Sequence, residues 1–494
     1  MSRIIISFVL VFLGFQLFAQ YEVNDNCMRA YRAIISLDFD EGRLWLEKEK
    51  AENPDNLIPV YYENYIDFLT LLIGEKESDF NNLKPNKRER INELEKGDPS
   101  SPYYNYCLAN VYLQWAFARV KFGQHVNAFF EIRKAYRLLE ENRLNYPEFL
   151  PDNTGMGLLH ALVGSVPDNY SWVTDIIGMD GSVNEGVREL QQVVDSAINN
   201  QEYAHLLPES LFFLTFIQLN LSKEEQEAIE IKQMLDSLPS KNPLIVFAKV
   251  SILMKTGHND EAIEVLTNFR HDRDAYPFHY LKYLLGLAKL SRLDEDADRP
   301  LLEFIIYYEG KNYRASACQK VAWHHLIRGD TLGYKEYINK ALFYTDGIVE
   351  EDKQALMEAE SGIIPNAALL KARLLFDGGY HEKALGELQK AERENHFETI
   401  AEQTEYYYRK GRVYHEMKEF DQALSSYKTA IEKGKGLNRY FAGNAALKSG
   451  NIFELLEDHE QAKKMYNKCL SLNFTEYEKG IKAMAKAGLD RIEE

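Results

Sequence analysis

The 494-residue sequence has little proline, little cysteine and no long run of alternating apolar and polar residues. With 14 prolines there are few helix breakers, and the missing alternation argues against β-strands, so we predict an all-α fold. The four cysteines, Cys27, Cys107, Cys318 and Cys469, form no CxxC pair and lie far apart. We expect them to be buried free thiols rather than zinc ligands or disulfides.

Local motifs of common enzymes are also missing. The sequence has no GxxxxGK[ST] phosphate loop, no HExxH zinc pair and no GxSxG nucleophile turn. His324 and His325 are adjacent, so on a helix they point about 100° apart and cannot chelate one ion together. The acidic run at 294–298 lacks the glycine and the distal glutamate of a calcium loop. We therefore predict a protein that is not an enzyme and uses no metal or other cofactor.

The sequence also lacks dense basic segments. The formal net charge is −18, and no Lys/Arg-rich run contains interleaved aromatic residues. Such a surface repels a phosphate backbone, so we do not expect nucleic acid as a partner. Aromatic residues are plentiful, with 31 Tyr and 26 Phe, which favours a large helical core over disorder.

The first 19 residues have the pattern of a secretory signal peptide. Arg3 precedes an apolar stretch at 4–18 that is short for a membrane span, and Leu17-Phe18-Ala19 fits a cleavage site. The segment resembles signal peptides of Bacteroidetes-type bacteria. We expect a periplasmic or secreted protein without a transmembrane segment after cleavage; the alternative is an uncleaved membrane anchor.

Two adjacent helical segments in residues 404–437 place small and large residues at regular offsets. The first segment carries Tyr407, Gly411 and Tyr414, and the second carries Ala423, Tyr427 and Ala430. These spacings let two antiparallel helices approach closely. They resemble the tetratricopeptide repeat, a helix–turn–helix unit of about 34 residues. The resemblance implies a superhelical array of antiparallel helix pairs, a tetratricopeptide-like α-solenoid.

Similar patterns recur along the chain and divide it into segments. The last three repeats begin near residues 365, 404 and 443, and residues 103–140 show the same offsets of small residues. The predicted organisation is a signal peptide at 1–19, helical hairpins at 20–140, an irregular Gly/Pro-containing insert at 141–183, divergent repeats at 184–364, and C-terminal repeats with a capping helix at 365–494.

A second resemblance falls at the insert. The order GMGLLHALVGSVP, IIGMDGS and NEGVREL is similar to the inclusion-body-clearance family of tetratricopeptide proteins. That resemblance implies an all-helical repeat protein and supplies no catalytic residues.

In tetratricopeptide arrays the first helix of each pair lines a concave groove. Carried onto this sequence, the resemblance gives seven groove residues: Arg373, Phe376, Tyr408, Arg412, His415, Asn444 and Asn451. Arginines and asparagines above an aromatic floor suit a peptide carboxylate or backbone. The alternative is an ordinary solvated helix face.

We therefore predict a scaffold that binds a protein or peptide in its groove. The alternative is an extracytoplasmic carbohydrate-binding protein, in which exposed aromatic rings stack on sugars. For that alternative the candidate contacts are Tyr170 and Trp172 in the insert.

Overall fold

The computed structural model describes residues 19–493 except 166–177, 222–224, 237, 239–241, 271 and 273. Throughout these residues the regular structure is helical, and strand-like pairing is limited to two isolated bridges near the N-terminus. The predicted all-α fold is confirmed. The chain forms two compact units, Met1–Ser222 with His271–Pro277 and Lys223–Arg270 with Phe278–Glu494. This division lies at residues 222–223, away from the composition changes near 140, 183 and 364 that guided the predicted segments.

The first unit is built from consecutive antiparallel helices. They are α1 (Asp25–Ile35), α2 (Phe39–Glu52), α3 (Ile58–Gly74), α4 (Glu77–Leu83), α5 (Asn86–Leu94), α6 (Pro102–Lys121), α7 (His125–Asn145), α8 (Asp152–Gly164), α9 (Val183–Asn199) and α10 (Leu207–Asn220).

The second unit continues the same arrangement. Its helices are α11 (Glu225–Asp236), α12 (Pro243–Lys255), α13 (Asn259–Asn268), α14 (Tyr280–Arg292), α15 (Asp298–Tyr307), α16 (Arg314–Ile327), α17 (Thr331–Ala341), α18 (Glu350–Ser361), α19 (Ala367–Asp377), α20 (His381–Arg393), α21 (Ile400–Glu416), α22 (Phe420–Gly434), α23 (Phe441–Leu455), α24 (His459–Ser471) and α25 (Glu478–Glu493).

A left-handed residue in the tight turn marks many of the helix pairs. In the last three pairs these residues are Gly379, Lys418 and Glu457, with φ of 80°, 60° and 59°, and each lies 39 residues after the one before. Positive φ favours glycine, so the conformations of Lys418 and Glu457 could not be predicted from their residue types. The constant spacing confirms the predicted 39-residue period of the C-terminal repeats.

The polar pattern of residues 78–96 predicts one helix. That prediction is wrong, because the structure has two helices, α4 and α5, separated at Pro85. Proline has no backbone N–H, so Pro85 cannot donate the helical hydrogen bond and the regular helix is interrupted there.

In the core of the C-terminal repeats, a glycine on the first helix of a pair packs against a tyrosine on the second helix. A Cβ on Gly411 would lie 2.5 Å from Cδ1 of Tyr427, and Gly450 faces Tyr466 in the same way. Both tyrosines are fully buried. The small and large positions predicted at 411 and 427 therefore do meet, and they let α21 and α22 pack closely.

Glycines have a different role where α8 crosses α9. A Cβ on Gly157 would lie 2.8 Å from the carbonyl oxygen of Gly186, and a Cβ on Gly186 would collide with the carbonyl oxygen of Gly157. Here two helix backbones are in contact. The segments GMGLLHALVG and NEGVREL thus form a glycine-mediated helix crossing.

All four cysteines are buried free thiols, as expected, and burial raises the pKa of Cys27 and Cys318 to about 12. No helix in the described residues is long and apolar enough to span a membrane. The predicted signal peptide falls almost wholly on residues 1–18, which lie outside the described residues.

Candidate ligand-binding cavity

A cavity of about 300 Å³ opens between three first helices of the second unit, α21, α23 and α25. These helices lie side by side and form what we call the first-helix face. The cavity is lined by Tyr408, Arg412, Asn444, Leu447, Lys448, Asn451, Met484, Ala487 and Arg491. Its size is at the lower end of the range for small-molecule and peptide side-chain pockets.

Two cations give the cavity its electrostatic character. Arg412 and Lys448 are both partly buried, and neither forms an ion pair with a carboxylate in the part of the chain that the structure describes. Burial lowers the pKa of Lys448, and the neighbouring Arg412 lowers it further, against the weaker opposing effect of Glu416. Two unpaired like charges held together in a partly desolvated cavity favour binding of an anion.

Polar groups beside these cations are held by hydrogen bonds. Asn444 Nδ2 donates to the Tyr408 hydroxyl at 2.8 Å, and the Tyr466 hydroxyl donates to Asn451 Oδ1 at 3.0 Å. Burial raises the pKa of Tyr408 to about 12, so its hydroxyl stays protonated at neutral pH. These contacts fix two amide groups at the cavity, and amides can donate to and accept from a peptide backbone.

The last helix supplies the third side of the cavity. Arg491 pairs with Glu454 through Nε–Oε1 at 2.7 Å and through its Nη2–Oε2 contact at 2.9 Å. Met484 is largely exposed and adds apolar surface beside Ala487. The helix predicted only to cap the repeats therefore also lines the cavity.

Cation–π contacts extend the first-helix face beyond the cavity. The Arg412 guanidinium carbon lies 4.1 Å from the Phe376 ring centroid, and that of Arg373 lies 5.0 Å from the Trp323 centroid. Lys320 Nζ lies 3.7 Å from the same Trp323 ring centroid. Burial, with a contribution from Arg373, lowers the pKa of Lys320 to about 7. Cations and aromatic rings thus alternate along α16, α19 and α21.

The structure brings most of the predicted groove residues together. Tyr408, Arg412, Asn444 and Asn451 line the cavity, while Phe376 and Arg373 lie along its extension. The Tyr408 ring itself is buried in the core. His415 is not among the lining residues; it packs against Phe420 and Tyr427.

Tyr170 and Trp172 lie outside the described residues. The carbohydrate-binding alternative that depends on them stays a prediction.

Sequence reasoning missed Leu447, Lys448, Met484, Ala487 and Arg491 as lining residues. A signal existed for Lys448, because it lies one helical turn after the predicted Asn444 and shares its face. No such signal existed for α25, since its packing against α23 depends on a turn that carries no repeat motif.

Comparison with known proteins identifies the repeats. The tetratricopeptide repeat pattern matches residues 404–432 and 444–476. No curated protein matches the chain.

Solved structures of helical repeat proteins are similar at low identity. The human IFIT1 dimer with m7Gppp-AAAA aligns over 92% of this chain and 98% of its own, with 13% identity and a TM-score of 0.31. Yeast Tom70 aligns over 93% of this chain and 96% of its own, with 14% identity and a TM-score of 0.24. At such TM-scores these likenesses say nothing about ligands.

The matched repeats coincide with helix pairs α21–α22 and α23–α24, whose glycine–tyrosine packing and 39-residue spacing the structure shows directly. The chain therefore contains two tetratricopeptide repeats, and these supply two of the three helices that line the cavity.

Proposed function

We propose that this protein is a non-enzymatic scaffold that binds an acidic segment of a partner protein in the cavity between α21, α23 and α25. The observation that carries the proposal is the pair of unpaired cations, Arg412 and Lys448, which share the cavity with two hydrogen-bonded amides. A carboxylate would pair with both cations, and the amides would bind the adjoining peptide backbone. The apolar Leu447 and Met484 would contact a neighbouring side chain.

A carboxylate fits this site better than a nucleic-acid backbone. The cavity offers two unpaired cations, whereas the chain as a whole carries a formal charge of −18. A long polyanion would be repelled by the surrounding acidic surface, but a short acidic segment needs only the local charge.

The test is the affinity of the full chain for a fluorescein-labelled Asp/Glu-rich decapeptide, measured by anisotropy. A double Arg412→Ala, Lys448→Ala substitution should weaken binding at least about tenfold, since losing one charge-assisted contact costs roughly 1.5–3 kcal/mol. The matched control is Lys428→Ala with Lys464→Ala, which removes two exposed cations from the second helices α22 and α24.

Three further arms sharpen the result. Affinity should fall as salt rises, and a C-terminally amidated peptide separates a terminal carboxylate from acidic side chains. Equal binding by the cavity variant and the control variant would refute the proposal. A single-stranded oligonucleotide that binds more tightly than the peptide, in a cavity-dependent way, would replace it with nucleic-acid binding.

We also propose a periplasmic or secreted location, which rests on the N-terminal sequence alone. N-terminal sequencing of the protein from its native host should begin at Gln20. A start at residue 1 or 2 with retention in the membrane fraction would favour the uncleaved anchor.

A further inference from the structure

A second cluster of chemically capable side chains lies in the first unit, at the glycine-mediated crossing of α8 and α9. His160 projects from α8, and Glu185 and Glu189 project from successive turns of α9. His160 Nδ1 lies 2.7 Å from Glu189 Oε2 and 3.7 Å from Glu185 Oε1. One donor atom from each of the three residues falls within 4.8 Å of the other two.

These separations suit a single metal ion. Ligand atoms about 2.1 Å from a tetrahedral zinc ion are about 3.4 Å from one another. The two distances from His160 Nδ1 lie on either side of that value, so small side-chain rotations would bring all three donors onto one ion. An imidazole with two carboxylates favours a transition metal such as zinc over calcium or magnesium, which prefer oxygen donors alone.

The backbone around the cluster holds the ligands in place. A Cβ on Gly181 would lie 2.6 Å from the Cα of His160, so the segment before α9 packs directly against that residue. His160 and Glu189 are buried, whereas the side chain of Glu185 is 43% exposed. The site is therefore rigid on one side and open on the other.

Charge in the cluster is unbalanced without a cation. Glu185 and Glu189 are four residues apart on one helix face, an arrangement in which like charges repel. Arg143 pairs with Glu189 Oε1 at 2.8 Å, but within the described residues no lysine or arginine pairs with Glu185. Arg143 leaves Glu189 Oε2 directed at His160, as expected of an outer group that orients a ligating carboxylate.

We propose that His160, Glu185 and Glu189 bind one divalent transition-metal ion of the zinc class. The sequence-based expectation of no metal considered only ligands close together in sequence. Three protein ligands and an exposed side leave one coordination position open to water or a small anion.

The experiment titrates the metal-free full chain with ZnCl₂ by isothermal calorimetry. One zinc ion per chain should bind. Glu185→Gln should weaken binding at least about tenfold, and His160→Ala should weaken it further. Asp195→Asn is the matched control, because it removes one exposed negative charge from the same helix.

Zinc can also bind histidines or cysteines elsewhere, so the ligands must be identified. X-ray absorption at the zinc edge should show only nitrogen and oxygen scatterers near 2.0–2.1 Å, whereas sulfur scatterers near 2.3 Å would place the ion on cysteines and refute the site. Absence of stoichiometric zinc, or equal affinity in Glu185→Gln and wild type, would also refute it. In either case the cluster would be a hydrogen-bond network only. Because Glu185 is partly exposed, the Glu185→Gln variant should fold, and circular dichroism checks its helix content.

Discussion

Two buried acids of the first unit contrast with two buried bases of the second. In the first unit, Asp152 and Glu209 are acids whose pKa values burial raises to about 7, and neither has an ion-pair partner among the described residues. In the second, burial lowers the pKa of two bases, Lys320 to about 7 and Lys448 in the same direction. A buried unpaired charge costs stability. The acids of the first unit avoid this cost when they stay protonated. The bases of the second unit avoid it when they lose a proton or bind an anion.

Hydrogen bonds to Asp152 act against this effect of burial. Asn142 Nδ2 donates to both carboxylate oxygens of Asp152, at 3.1 and 2.9 Å. The two bonds from Asn142 Nδ2 favour the ionised carboxylate, so burial raises the pKa of Asp152 against their effect.

The largest difference in stability between the two units should come from replacing a glycine in each. Gly186→Ala places a methyl group against the Gly157 backbone, whereas Gly411→Ala meets the ring of Tyr427, which can shift. We expect the free energy of unfolding to fall by about 3 kcal/mol for Gly186→Ala and by about 1 kcal/mol for Gly411→Ala. At Gly411 the better helix propensity of alanine offsets part of the steric overlap. Hydrogen exchange of peptides from α9 and α21 measures both. Equal losses would show that backbone contact at α8–α9 is not the constraint.

The pH dependence of the second unit comes next in size. An unfolded lysine has a pKa near 10.5, so between pH 7 and 10 the unfolded chain holds the Lys320 proton more strongly and stability rises with pH. From pH 7 to 9 the free energy of opening α16 should rise by at least about 1.4 kcal/mol, the equivalent of one pKa unit. Lys320→Met should remove the rise. If exchange in α16 changes equally in variant and wild type, another group is responsible.

The first unit should respond in the opposite direction. Asp152 has an ordinary pKa of 3.8 and a folded value of about 7, so its favourable contribution is complete below pH 3.8 and is lost as pH rises to 7. Asp152→Asn should remove this pH dependence and raise the stability of α8 at pH 8 by about 1 kcal/mol, since the neutral amide places no charge in the buried site. Exchange of α8 peptides at pH 5 and pH 8 tests it. A variant less stable at pH 8 would mean that the ionised carboxylate is tolerated.

The smallest effect concerns the exposed end of the cavity. Arg491 and Glu454 form a two-contact pair at the surface, and such pairs contribute at most about 1 kcal/mol. Arg491→Gln should therefore leave the melting temperature within a few degrees of wild type. A large drop would show that Arg491 is needed to hold α25 against α23.

Sequence reasoning succeeded where a local pattern decides the structure. The helix pair at 103–140 and the glycine–tyrosine contact at 411 and 427 follow from helical periodicity, and both are present. It failed at Pro85, where the polar pattern continues across a residue that breaks the helix. The helix crossing of Gly157 and Gly186 could not be predicted, because close approach of two backbones leaves no trace beyond the glycines themselves.

The candidate site was predictable in part for the same reason. Arg412 and Asn444 follow from the repeat register, and both line the cavity. Lys448 and Arg491 depend on how successive first helices pack, which is a tertiary property. The cluster of His160 with Glu185 and Glu189 joins two helices through a crossing, so residue spacing alone did not indicate it.

Tyr466 connects the final helix to the repeat before it. Its ring faces Gly450 on α23 and also Gly488 on α25, where a Cβ would lie 2.5 Å from Cζ. A protease that cut the chain just before Glu478 would leave both recognised repeats intact but would remove Met484, Ala487 and Arg491 from the cavity and uncover this ring. Such a cleaved product would keep both recognised repeats while losing one side of the cavity, so an intact cavity requires the last 17 residues, 478–494.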